Sequence, residues 1–439
     1  MKYIYIETYG CTANQNNSEI ISGFLKQAGY EITNNEKIAD IIIINTCIVK
    51  SKTENKIKRR IQDLEKNYKN KLMIITGCMP ETDSTAIRKL NPKAILLGTH
   101  HFKDITRLLK DYNENKLTSN KQKHYLSYSS EEKLFLPKIP KNKLISITQI
   151  LEGCLGECNF CKTRLAKGKL FSYDKERIIK SIKSDLENKV REIWITSQDN
   201  AAYGLDREKQ ELSELLIEIL NLKHKFKLRL GMMNPNNLYS ILNEMIEVYK
   251  NKKIYKFLHI PVQSASDKIL KKMKRKYNIN TVRKIINKFR KEFPDLTIST
   301  DIIAGYPGET EKDHEENLNF IKKFKPDLFN LSKFSLHKQT PLYRRIKNNK
   351  LKLVPIEIIK KRTAELMDIH RKNALENKKK YLGKTIAVFV NNKREGFYEA
   401  RDDNYNLVLI NSSKKISGKN LKINIRNIGV HQMIGEINH

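Results

Sequence analysis

Residues 152–161 read EGCLGECNFC, and this stretch holds three cysteines, Cys154, Cys158 and Cys161, at C-x3-C-x2-C spacing. Thiolates are the ligands of iron–sulfur clusters, and a complete [4Fe–4S] site normally takes four of them. Since no fourth cysteine follows, three thiolates would leave one iron open to a small molecule. The alternatives are a zinc knuckle and a redox pair. Zinc prefers four closed ligands from paired C-x2-C units, and no nearby histidine completes such a set, so the spacing favours a cluster.

The cysteine motif directly follows a predicted strand, and from there to about residue 336 strand-like and helical stretches alternate. The predicted strands are residues 144–150, 192–197, 227–232, 257–262, 297–303 and 328–334. Six strand–helix units fall short of a closed eight-stranded barrel. We therefore predict an open or partial barrel whose catalytic groups lie at the carboxyl ends of its strands. Polar or turn-forming residues follow these strands, among them Gln198, Gln263 and Gly305.

Residues 1–111 show the same alternation on a smaller scale, with predicted strands at residues 2–7, 39–45, 72–76 and 94–97. This pattern predicts a small parallel α/β sheet. Cys11, Cys47 and Cys78 follow the first three of these strands. Because functional groups gather at the carboxyl edge of an open parallel sheet, the three cysteines could converge. The alternative is three unrelated buried cysteines. Because all three cysteines follow a predicted strand, the pattern favours a second cluster site over unrelated packing.

The remaining sequence divides into a linker and a β-rich end. Residues 112–143 are polar and contain two prolines, which is typical of an interdomain linker. A predicted helix over residues 355–380 leads to short strand-like runs at 385–390, 396–400, 405–410, 421–425 and 433–437. Such short strands predict a small barrel, similar in style to oligonucleotide-binding barrels, whose lysines and arginines would contact nucleic acid. The predicted fold class is thus α/β with a carboxyl-terminal β-barrel.

The charge of the chain indicates its kind of partner. Its 439 residues include 84 lysines and arginines against 49 aspartates and glutamates, a net charge of +35. Lysine, asparagine and isoleucine are abundant, as in A/T-rich genes, but such drift would enrich glutamate as well. The excess of basic residues therefore favours a polyanionic partner, of which nucleic acid is the usual one.

Cysteine usage and hydropathy indicate the compartment. Six cysteines and a beginning unlike a signal peptide lead us to expect a reducing compartment, the cytoplasm. The longest apolar runs, such as residues 41–44, fall far below the roughly 18–20 residues of a membrane span, so we expect no membrane partner. Several histidines lack metal-like spacing, and we expect them at the surface or at helix ends; they are His100, His101, His314 and His370.

Taken together, these motifs resemble the radical SAM tRNA methylthiotransferase family over nearly the whole chain. Residues 8–14 (TYGCTAN), 45–47 (NTC) and 76–78 (TGC) are similar to the family's amino-terminal domain, which holds an auxiliary cluster. Residues 152–161, including Phe160, are similar to the radical SAM motif. Residues 381–439 resemble the RNA-binding TRAM barrel. The resemblance implies an amino-terminal domain at 1–111, a linker at 112–143, a radical SAM domain at 144–376 and a TRAM barrel at 381–439.

Two stretches point to one branch of the family. Residues 192–204 (EIWITSQDNAAYG) and 231–235 (GMMNP) resemble the archaeal and eukaryotic branch that acts on threonylcarbamoyladenosine. There are departures as well. Ala265 stands where the family usually has glycine, and the stretch around His337 lacks an arginine usually found there. The first adds only a methyl group, whereas the second concerns contacts to SAM or substrate at the sixth strand.

The resemblance implies methylthiolation of C2 of N6-threonylcarbamoyladenosine at position 37 of tRNA, with S-adenosylmethionine (SAM) as radical source and methyl donor. It implies two [4Fe–4S] clusters, one on Cys154, Cys158 and Cys161 and one on Cys11, Cys47 and Cys78. Phe160, Gln198, Gln263 and Gly305 would bind SAM, and the partners would be the tRNA anticodon stem-loop, an electron donor and a sulfur donor. Alternative targets are isopentenyladenosine-37 of tRNA and a ribosomal protein. A different alternative is a non-catalytic iron–sulfur protein that binds RNA.

Overall fold

A computed structural model of the protein describes residues 2–118, 122, 125–348 and 351–438. The chain forms two compact units. Unit 1 consists of the segments Met1–Lys141, Ile147–Leu155 and Cys161–Ser181. Unit 2 consists of the segments Asn142–Ser146, Gly156–Phe160 and Ile182–His439. Within the described ranges, no helix is long and apolar enough to cross a membrane.

Unit 1 is built on a five-stranded parallel sheet with the strand order β2-β1-β3-β4-β5. The strands are β1 (Tyr3–Thr8), β2 (Glu31–Thr33), β3 (Ile41–Thr46), β4 (Leu72–Gly77) and β5 (Ile95–Gly98). All six residues of β3 are buried, as expected for a central strand that is covered on both faces. The predicted parallel sheet is confirmed. Strand β2 was not predicted, because three half-buried residues are too few to show a period.

Helices cover both faces of this sheet. They are α1 (Thr12–Gln27), α2 (Ser51–Asn67), α3 (Cys78–Leu90) and α4 (Ile105–Asn113). Ile42 and Ile44 of β3 pack with α2 and α3, whereas Ile41 and Ile43 pack with α1 and α4. Each such fully buried isoleucine contributes about 1.5–3 kcal/mol of hydrophobic stabilisation. The two cores hold the strand ends in fixed positions.

Segments that follow β5 complete unit 1. Part of the polar stretch 112–143 packs into this unit: Tyr125 is buried and its hydroxyl donates to Asp111 at 2.9 Å, and Lys133 is buried as well. The chain then adds the short antiparallel strands β7 (Leu151–Glu152) and β8 (Phe171–Ser172) and the helix α5 (Thr163–Lys167). Helix α5 lies against α3.

The central region contains six strands in two three-stranded sheets, with the orders β10-β9-β6 and β11-β12-β13. The strands are β6 (Ile145–Gln149), β9 (Glu192–Thr196), β10 (Lys227–Leu230), β11 (Phe257–His259), β12 (Thr297–Ala304) and β13 (Leu328–Lys333). Strand β9 runs parallel to β10, and β12 runs parallel to both β11 and β13. The predicted partial barrel of six strands is confirmed, and each predicted strand lies within a few residues of an observed one.

Helices separate these strands along the chain or follow the last of them. They are α6 (Lys175–Glu187), α7 (Leu212–Leu220), α8 (Pro235–Ser240), α9 (Leu242–Lys250), α10 (Asp267–Lys272), α11 (Ile279–Glu292), α12 (Glu311–Phe324) and α13 (Pro341–Lys347). Helix α12 begins with a capping box in which Thr310 and Asp313 satisfy each other's backbone amides. The predicted long helix is α14 (Ile356–Lys379).

The chain ends in a closed barrel of five strands in the order β14-β15-β16-β18-β17. The strands are β14 (Thr385–Arg394), β15 (Phe397–Arg401), β16 (Leu407–Ile410), β17 (Asn420–Ile428) and β18 (Met433–Ile437). Neighbours pair antiparallel except β16 and β18, which pair in parallel. Val390, Ile410 and Ile425 are fully buried in its core. The predicted barrel is confirmed.

Buried polar contacts join the barrel to the rest of unit 2. Glu192, at the start of β9, is fully buried and accepts hydrogen bonds from Tyr255 and from the side-chain amide of Asn391 on β14. The guanidinium of Arg229 lies 5.4 Å from the ring centre of Trp194 and 5.5 Å from that of Tyr405 in the barrel. Removing the barrel would take away the Asn391 donor of the buried Glu192 carboxylate and expose the ring of Trp194, so point substitutions test the barrel better than truncation does.

Candidate functional site

The cysteines of the amino-terminal region lie at the carboxyl ends of three neighbouring strands of unit 1. Cys11 is the N-cap of α1 after β1, Cys47 follows β3, and Cys78 begins α3 after β4. In the strand order β2-β1-β3-β4-β5, the chain reverses direction across the sheet between β1 and β3. Such a switch point is where open α/β sheets bind ligands. The sequence predicted that these cysteines follow strands. The structure shows that the strands concerned, β1, β3 and β4, are neighbours in the sheet.

Polar side chains tie these strand ends to one another. The side-chain amide of Asn14 donates to the carbonyl of Thr46 at 2.8 Å, and that of Asn45 donates to the carbonyl of Asn14 at 2.8 Å. The hydroxyl of Thr46 donates to the carbonyl of Thr76 at 2.6 Å and accepts from the amide of Met79 at 3.0 Å. Each of these bonds fixes the backbone within three residues of a strand end or cysteine, so the three strand ends have little freedom to separate.

Two glycines let the backbone approach the cysteines closely. Gly10 and Gly77 directly precede Cys11 and Cys78 and have φ of +102° and +89°, a region that favours glycine. A methyl group on Gly10 would lie 2.7 Å from the sulfur of Cys47, and one on Gly77 would lie 2.4 Å from the side-chain oxygen of Asn45. A side chain at position 10 would therefore collide with Cys47, and one at position 77 would collide with the end of β3.

Burial and charge set the state of these thiols. Cys11 is exposed, whereas Cys47 and Cys78 are each 5% exposed. Burial raises the pKa of Cys78 to about 12, and the positive charge of Lys167 opposes this rise. Burial also raises the pKa of Cys47, against hydrogen bonds from the backbone amides of Val49 and Ile48. Negative charge on Cys11 or Cys47 would raise the pKa of Cys78 further.

These features fit a thiolate-bound cluster. Backbone amides that donate to sulfur, as at Cys47, stabilise thiolates, and so do the amino-terminal ends of α1 and α3. Asn16 and Asn17 on α1 are fully buried, and none of their side-chain nitrogen or oxygen atoms has a partner within the described residues. In that part of the chain, no three cysteine, histidine, aspartate or glutamate side chains are arranged to hold a single metal ion. A cluster of several irons spaces its thiolates more widely than one ion does.

The second cysteine motif spans both units. Cys154 and Cys161 belong to unit 1 and Cys158 to unit 2, and all three are partly exposed. The amide of Cys154 donates to the carbonyl of Gly168 at 3.3 Å. Asn159 is buried, and its side chain donates to the carbonyl of Lys272 at 2.7 Å. Each of these two bonds anchors its part of the loop within one unit.

Arg275 contacts this motif and was missed by sequence reasoning. Its guanidinium donates to the sulfur of Cys158 at 3.0 Å and to the hydroxyl of Tyr277 at 3.0 Å. In the sequence, Arg275 lies within a basic run of residues 271–276, for which contact with RNA and a solvated helix end are equally good expectations. An arginine that donates to a cysteine sulfur stabilises its thiolate, as a neighbour of a metal ligand does. Arg275 and Cys158 are 117 residues apart in the sequence, so no local sequence pattern indicates their contact.

The other predicted site residues lie in unit 2 near strand ends. Gln198 follows β9, Gln263 follows β11 and Gly305 follows β12. Gln263 has a left-handed φ of +69°, and its backbone bonds to the residues Asp301 and Ile303 of β12. The amide of Gly305 donates to both carboxylate oxygens of Glu309, at 3.1 and 3.2 Å. Because the strands are parallel, these ends share one edge of their sheets.

Buried polar atoms at this edge suit a polar ligand. The side-chain oxygens of Ser197, Gln198 and Asn200, just after β9, are buried without a hydrogen-bond partner among the described residues. Such atoms are costly unless a ligand or water satisfies them. Phe160 packs edge-on against Tyr306 with ring centres 6.3 Å apart. The strand ends therefore offer unsatisfied acceptors, which suit the amino group of a ligand, and one hydroxyl that can also donate.

Positions that depart from the family pattern are accommodated locally. Ala265 is 3% exposed and its amide donates to the side chain of Asn317 at 2.7 Å. The carbonyl of His337 accepts from the hydroxyl of Thr340 at 2.7 Å. The added methyl group of Ala265 is thus packed in the interior, and His337 lies in a turn that Thr340 stabilises.

The expectation that four histidines lie at the surface was wrong, but two of them lie at helix ends, as the alternative expectation had it: His101 caps a short 3-10 helix and His314 lies in the first turn of α12. His100, His101, His314 and His370 are between 0% and 6% exposed, rather than at the surface. His101 and His314 pair with Asp104 and Glu365, at 2.8 and 2.7 Å. Asp104 lies only three residues from His101, whereas Glu365 lies 51 residues from His314, and neither spacing indicates burial. His100 contacts a group of buried charges in unit 1.

Comparisons with known proteins agree with this architecture. Residues 3–98 match the model of the uncharacterized protein family UPF0004, and residues 148–321 match that of the Radical SAM superfamily. Among solved structures, the radical S-adenosylmethionine methyltransferase TsrM from Kitasatospora setae has a TM-score of 0.57 and 11% identity, over 80% of this chain and 76% of TsrM. At that identity the likeness concerns the fold alone.

Curated relatives are similar over the full length. The chain is 34% identical to the "Probable threonylcarbamoyladenosine tRNA methylthiotransferase" of Pyrococcus horikoshii, over 100% of both chains. It is 32% identical to the "Threonylcarbamoyladenosine tRNA methylthiotransferase" of Homo sapiens, over 99% of this chain and 73% of the human protein. The predicted resemblance to the archaeal and eukaryotic branch is confirmed. The chain belongs to the radical SAM family of threonylcarbamoyladenosine tRNA methylthiotransferases.

Proposed function

We propose that this protein methylthiolates C2 of N6-threonylcarbamoyladenosine at position 37 of tRNA, with SAM as both radical source and methyl donor. The observation that carries this proposal is the pair of cysteine sets in one chain. One set follows three strands of a parallel sheet, and the other has the radical SAM spacing. Similarity over the whole chain to named threonylcarbamoyladenosine tRNA methylthiotransferases supports the choice of substrate.

Two [4Fe–4S] clusters belong to this proposal. When bound, they supply one-electron reduction of SAM and a carrier for sulfur, which side chains cannot replace because an aromatic C–H has no useful acidity. Cys154, Cys158 and Cys161 would hold one cluster, and Cys11, Cys47 and Cys78 would hold the other. The buried strand ends of unit 1 exclude water from Cys47 and Cys78. Arg275 orients Cys158 through its hydrogen bond.

Residues at the carboxyl ends of the central strands would bind SAM. Gln198 and Gln263 present side-chain amides there, and Gly305 leaves room for close backbone approach because its φ is +80°. Phe160 lies beside Cys161 in the sequence and packs on Tyr306. These assignments place a SAM site within residues 144–376, with the second cluster in residues 1–111 and RNA contacts in residues 381–439. Six free cysteines suit a reducing location, and we propose the cytoplasm.

The substrate assignment is tested with purified, anaerobically reconstituted protein and two tRNA preparations. One carries N6-threonylcarbamoyladenosine at position 37 and the other carries isopentenyladenosine. The proposal predicts 2-methylthio product on the threonylcarbamoyl form only, detected by mass spectrometry of nucleosides. Product on the isopentenyl form alone would overturn the substrate while leaving the reaction type in place. SAM cleavage with no product on either tRNA would point to the ribosomal-protein alternative.

The barrel provides a candidate surface for tRNA phosphates. Lys414, Lys415 and Lys419, between β16 and β17, are exposed, and their side chains form no ion pair in the part of the chain that the structure describes. Unpaired ammonium groups can neutralise phosphates and release counterions. The barrel core fixes β16 and β17, the strands at the two ends of the loop that carries these lysines. This loop is therefore the part of the barrel that we expect to contact RNA.

A triple substitution of alanine for Lys414, Lys415 and Lys419 is expected to lower the affinity for tRNA. It should also make that affinity less dependent on salt concentration. If each lysine contacts a phosphate, the slope of log K against log salt falls by about 2 to 3. Filter binding at several salt concentrations measures this slope. Lys250, Lys360 and Lys379 are a matched control, because each already pairs with a glutamate on its own helix, at 2.8, 2.9 and 3.0 Å. Equal losses in both variants would show a general charge effect and remove the loop from the RNA-binding surface.

A further inference from the structure

Unit 1 contains a buried charge cluster that the proposed chemistry does not use. It consists of Glu152, Lys133 and Lys167, whose side chains are 2% to 6% exposed. One carboxylate oxygen of Glu152 accepts from the ammonium of Lys133 at 2.8 Å and from that of Lys167 at 2.9 Å. Two lysines against one glutamate leave one positive charge inside the protein. Ordinary interiors avoid such a charge because its desolvation is costly.

Neighbouring groups hold this charge cluster without cancelling it. Both lysines also donate to Thr99, Lys133 to the carbonyl at 3.0 Å and Lys167 to the hydroxyl. His100 lies 3.8 Å from Glu152, and burial lowers its pKa to about 4, so it is neutral at pH 7. Glu81 accepts from the amide of Thr99 at 2.9 Å, and burial raises its pKa to about 7. The net charge of the charge cluster together with His100 and Glu81 therefore lies between zero and +1 at pH 7.

Lys167 connects the charge cluster to the three amino-terminal cysteines. It ends α5, and its neighbour Ala166 packs in the same core cluster as Cys47 and Cys78. Helix α5 also lies against α3, which begins at Cys78. The charge of Lys167 acts on both Cys47 and Cys78 and favours their thiolate forms. The ammonium of Lys133 lies 4.9 Å from the ring centre of Phe102 and interacts with Cys78 as well, whereas that of Lys167 interacts with Cys11, Cys47 and Cys78.

We infer that Lys167 is a positioning residue for the amino-terminal cluster, where it holds a buried positive charge beside Cys47 and Cys78 and raises the cluster's reduction potential. This inference rests on the proposed function, because it requires a cluster on Cys11, Cys47 and Cys78. Adding one electron makes a cluster more negative, and a nearby positive charge in a low-dielectric interior favours that reduced state. Glu152 and Thr99 fix the position of the charge. Helix α5 begins just after Cys161, so the chain that leaves the motif of residues 152–161 carries Lys167 to the amino-terminal cysteines.

The test uses full-length protein in which Cys154, Cys158 and Cys161 are alanine, so that only the amino-terminal cysteines can bind iron. In this background Lys167→Gln removes the charge but keeps a donor for Glu152, and Lys167→Arg keeps the charge. After anaerobic reconstitution, iron content is measured and the midpoint potential is read by EPR during titration with dithionite. We expect Lys167→Gln to load iron and to shift the midpoint to a more negative value. Lys167→Arg should remain near the parent protein.

Lys133→Met serves as the matched control, because it removes the other lysine of the charge cluster and should shift the midpoint less than Lys167→Gln does. An unchanged midpoint in a loaded Lys167→Gln protein would overturn the inference. Equal shifts in Lys167→Gln and Lys167→Arg, or in Lys167→Gln and Lys133→Met, would do the same. Should Lys167→Gln not load iron, Lys167→Met replaces it, and loss of iron in both would assign Lys167 a merely structural role. A parent protein without any cluster signal would instead contradict the proposed function.

Discussion

Replacing Cys11, Cys47 and Cys78 together with alanine is expected to abolish the methylthio product while SAM cleavage continues. These cysteines lie at three strand ends of unit 1 and have no part in the motif of residues 152–161. Loss of one of two clusters should remove roughly half of the iron bound after anaerobic reconstitution. The sheet should remain folded, because its stability comes from the isoleucines of β3 and the helices that cover them. Iron analysis, 5′-deoxyadenosine and modified nucleosides are measured on the same preparation.

The matched control replaces Cys154, Cys158 and Cys161 with alanine. Without these thiolates both 5′-deoxyadenosine and methylthio product should disappear. Full iron content in the amino-terminal variant would contradict the assignment of Cys11, Cys47 and Cys78 as ligands. Methylthio product formed without them would contradict it as well. Either result would identify them as cysteines that hold no cluster.

Replacing Arg275 with methionine is expected to lower the rate of SAM cleavage by about 10- to 100-fold, the usual effect of removing a partner of a metal ligand. The variant loses the hydrogen bond to the sulfur of Cys158, which is 3.0 Å long, and leaves the hydroxyl of Tyr277 without this donor. Methionine keeps most of the side-chain volume, so packing changes little. The measurement is 5′-deoxyadenosine formed per bound iron, with dithionite in excess.

Lysine at position 275 provides the comparison, since it keeps a positive charge but lacks the fork of donors that serves Cys158 and Tyr277 together. We expect Arg275→Lys to fall between the methionine variant and the parent protein. Cleavage at the parental rate in Arg275→Met would mean that Cys158 needs no such donor. A circular dichroism spectrum equal to that of the parent separates this effect from unfolding.

Strand periodicity predicted most of the fold. Residues 41–44 form a continuous apolar run, and β3 is indeed buried over its whole length at the centre of a parallel sheet. Alternation of Leu421, Ile423 and Ile425 with polar residues predicted β17. These signals are local, because burial on one or both faces imposes a pattern on a single strand. The cysteine spacing of residues 152–161 is local in the same sense.

Long-range contacts could not be predicted in this way. Lys133 lies in a polar stretch and Glu152 beside the cysteine motif, yet the two form a buried pair at 2.8 Å. Arg275 in its basic run contacts Cys158 only because the fold returns the chain to the motif. A buried charge leaves no periodic signal, since its partner can come from any element. Such residues belong to the candidate site, and the structure was needed to find them.

The most direct test of the central claim is nucleoside mass spectrometry of tRNA from cells with and without this gene. If the protein methylthiolates N6-threonylcarbamoyladenosine, its 2-methylthio derivative is present with the gene and absent without it. N6-threonylcarbamoyladenosine without the methylthio group then accumulates in the deletion strain. It returns to its former level when the gene is restored. Equal amounts of the 2-methylthio derivative in both strains would contradict the claim. Loss of 2-methylthio-isopentenyladenosine instead would contradict the assigned substrate.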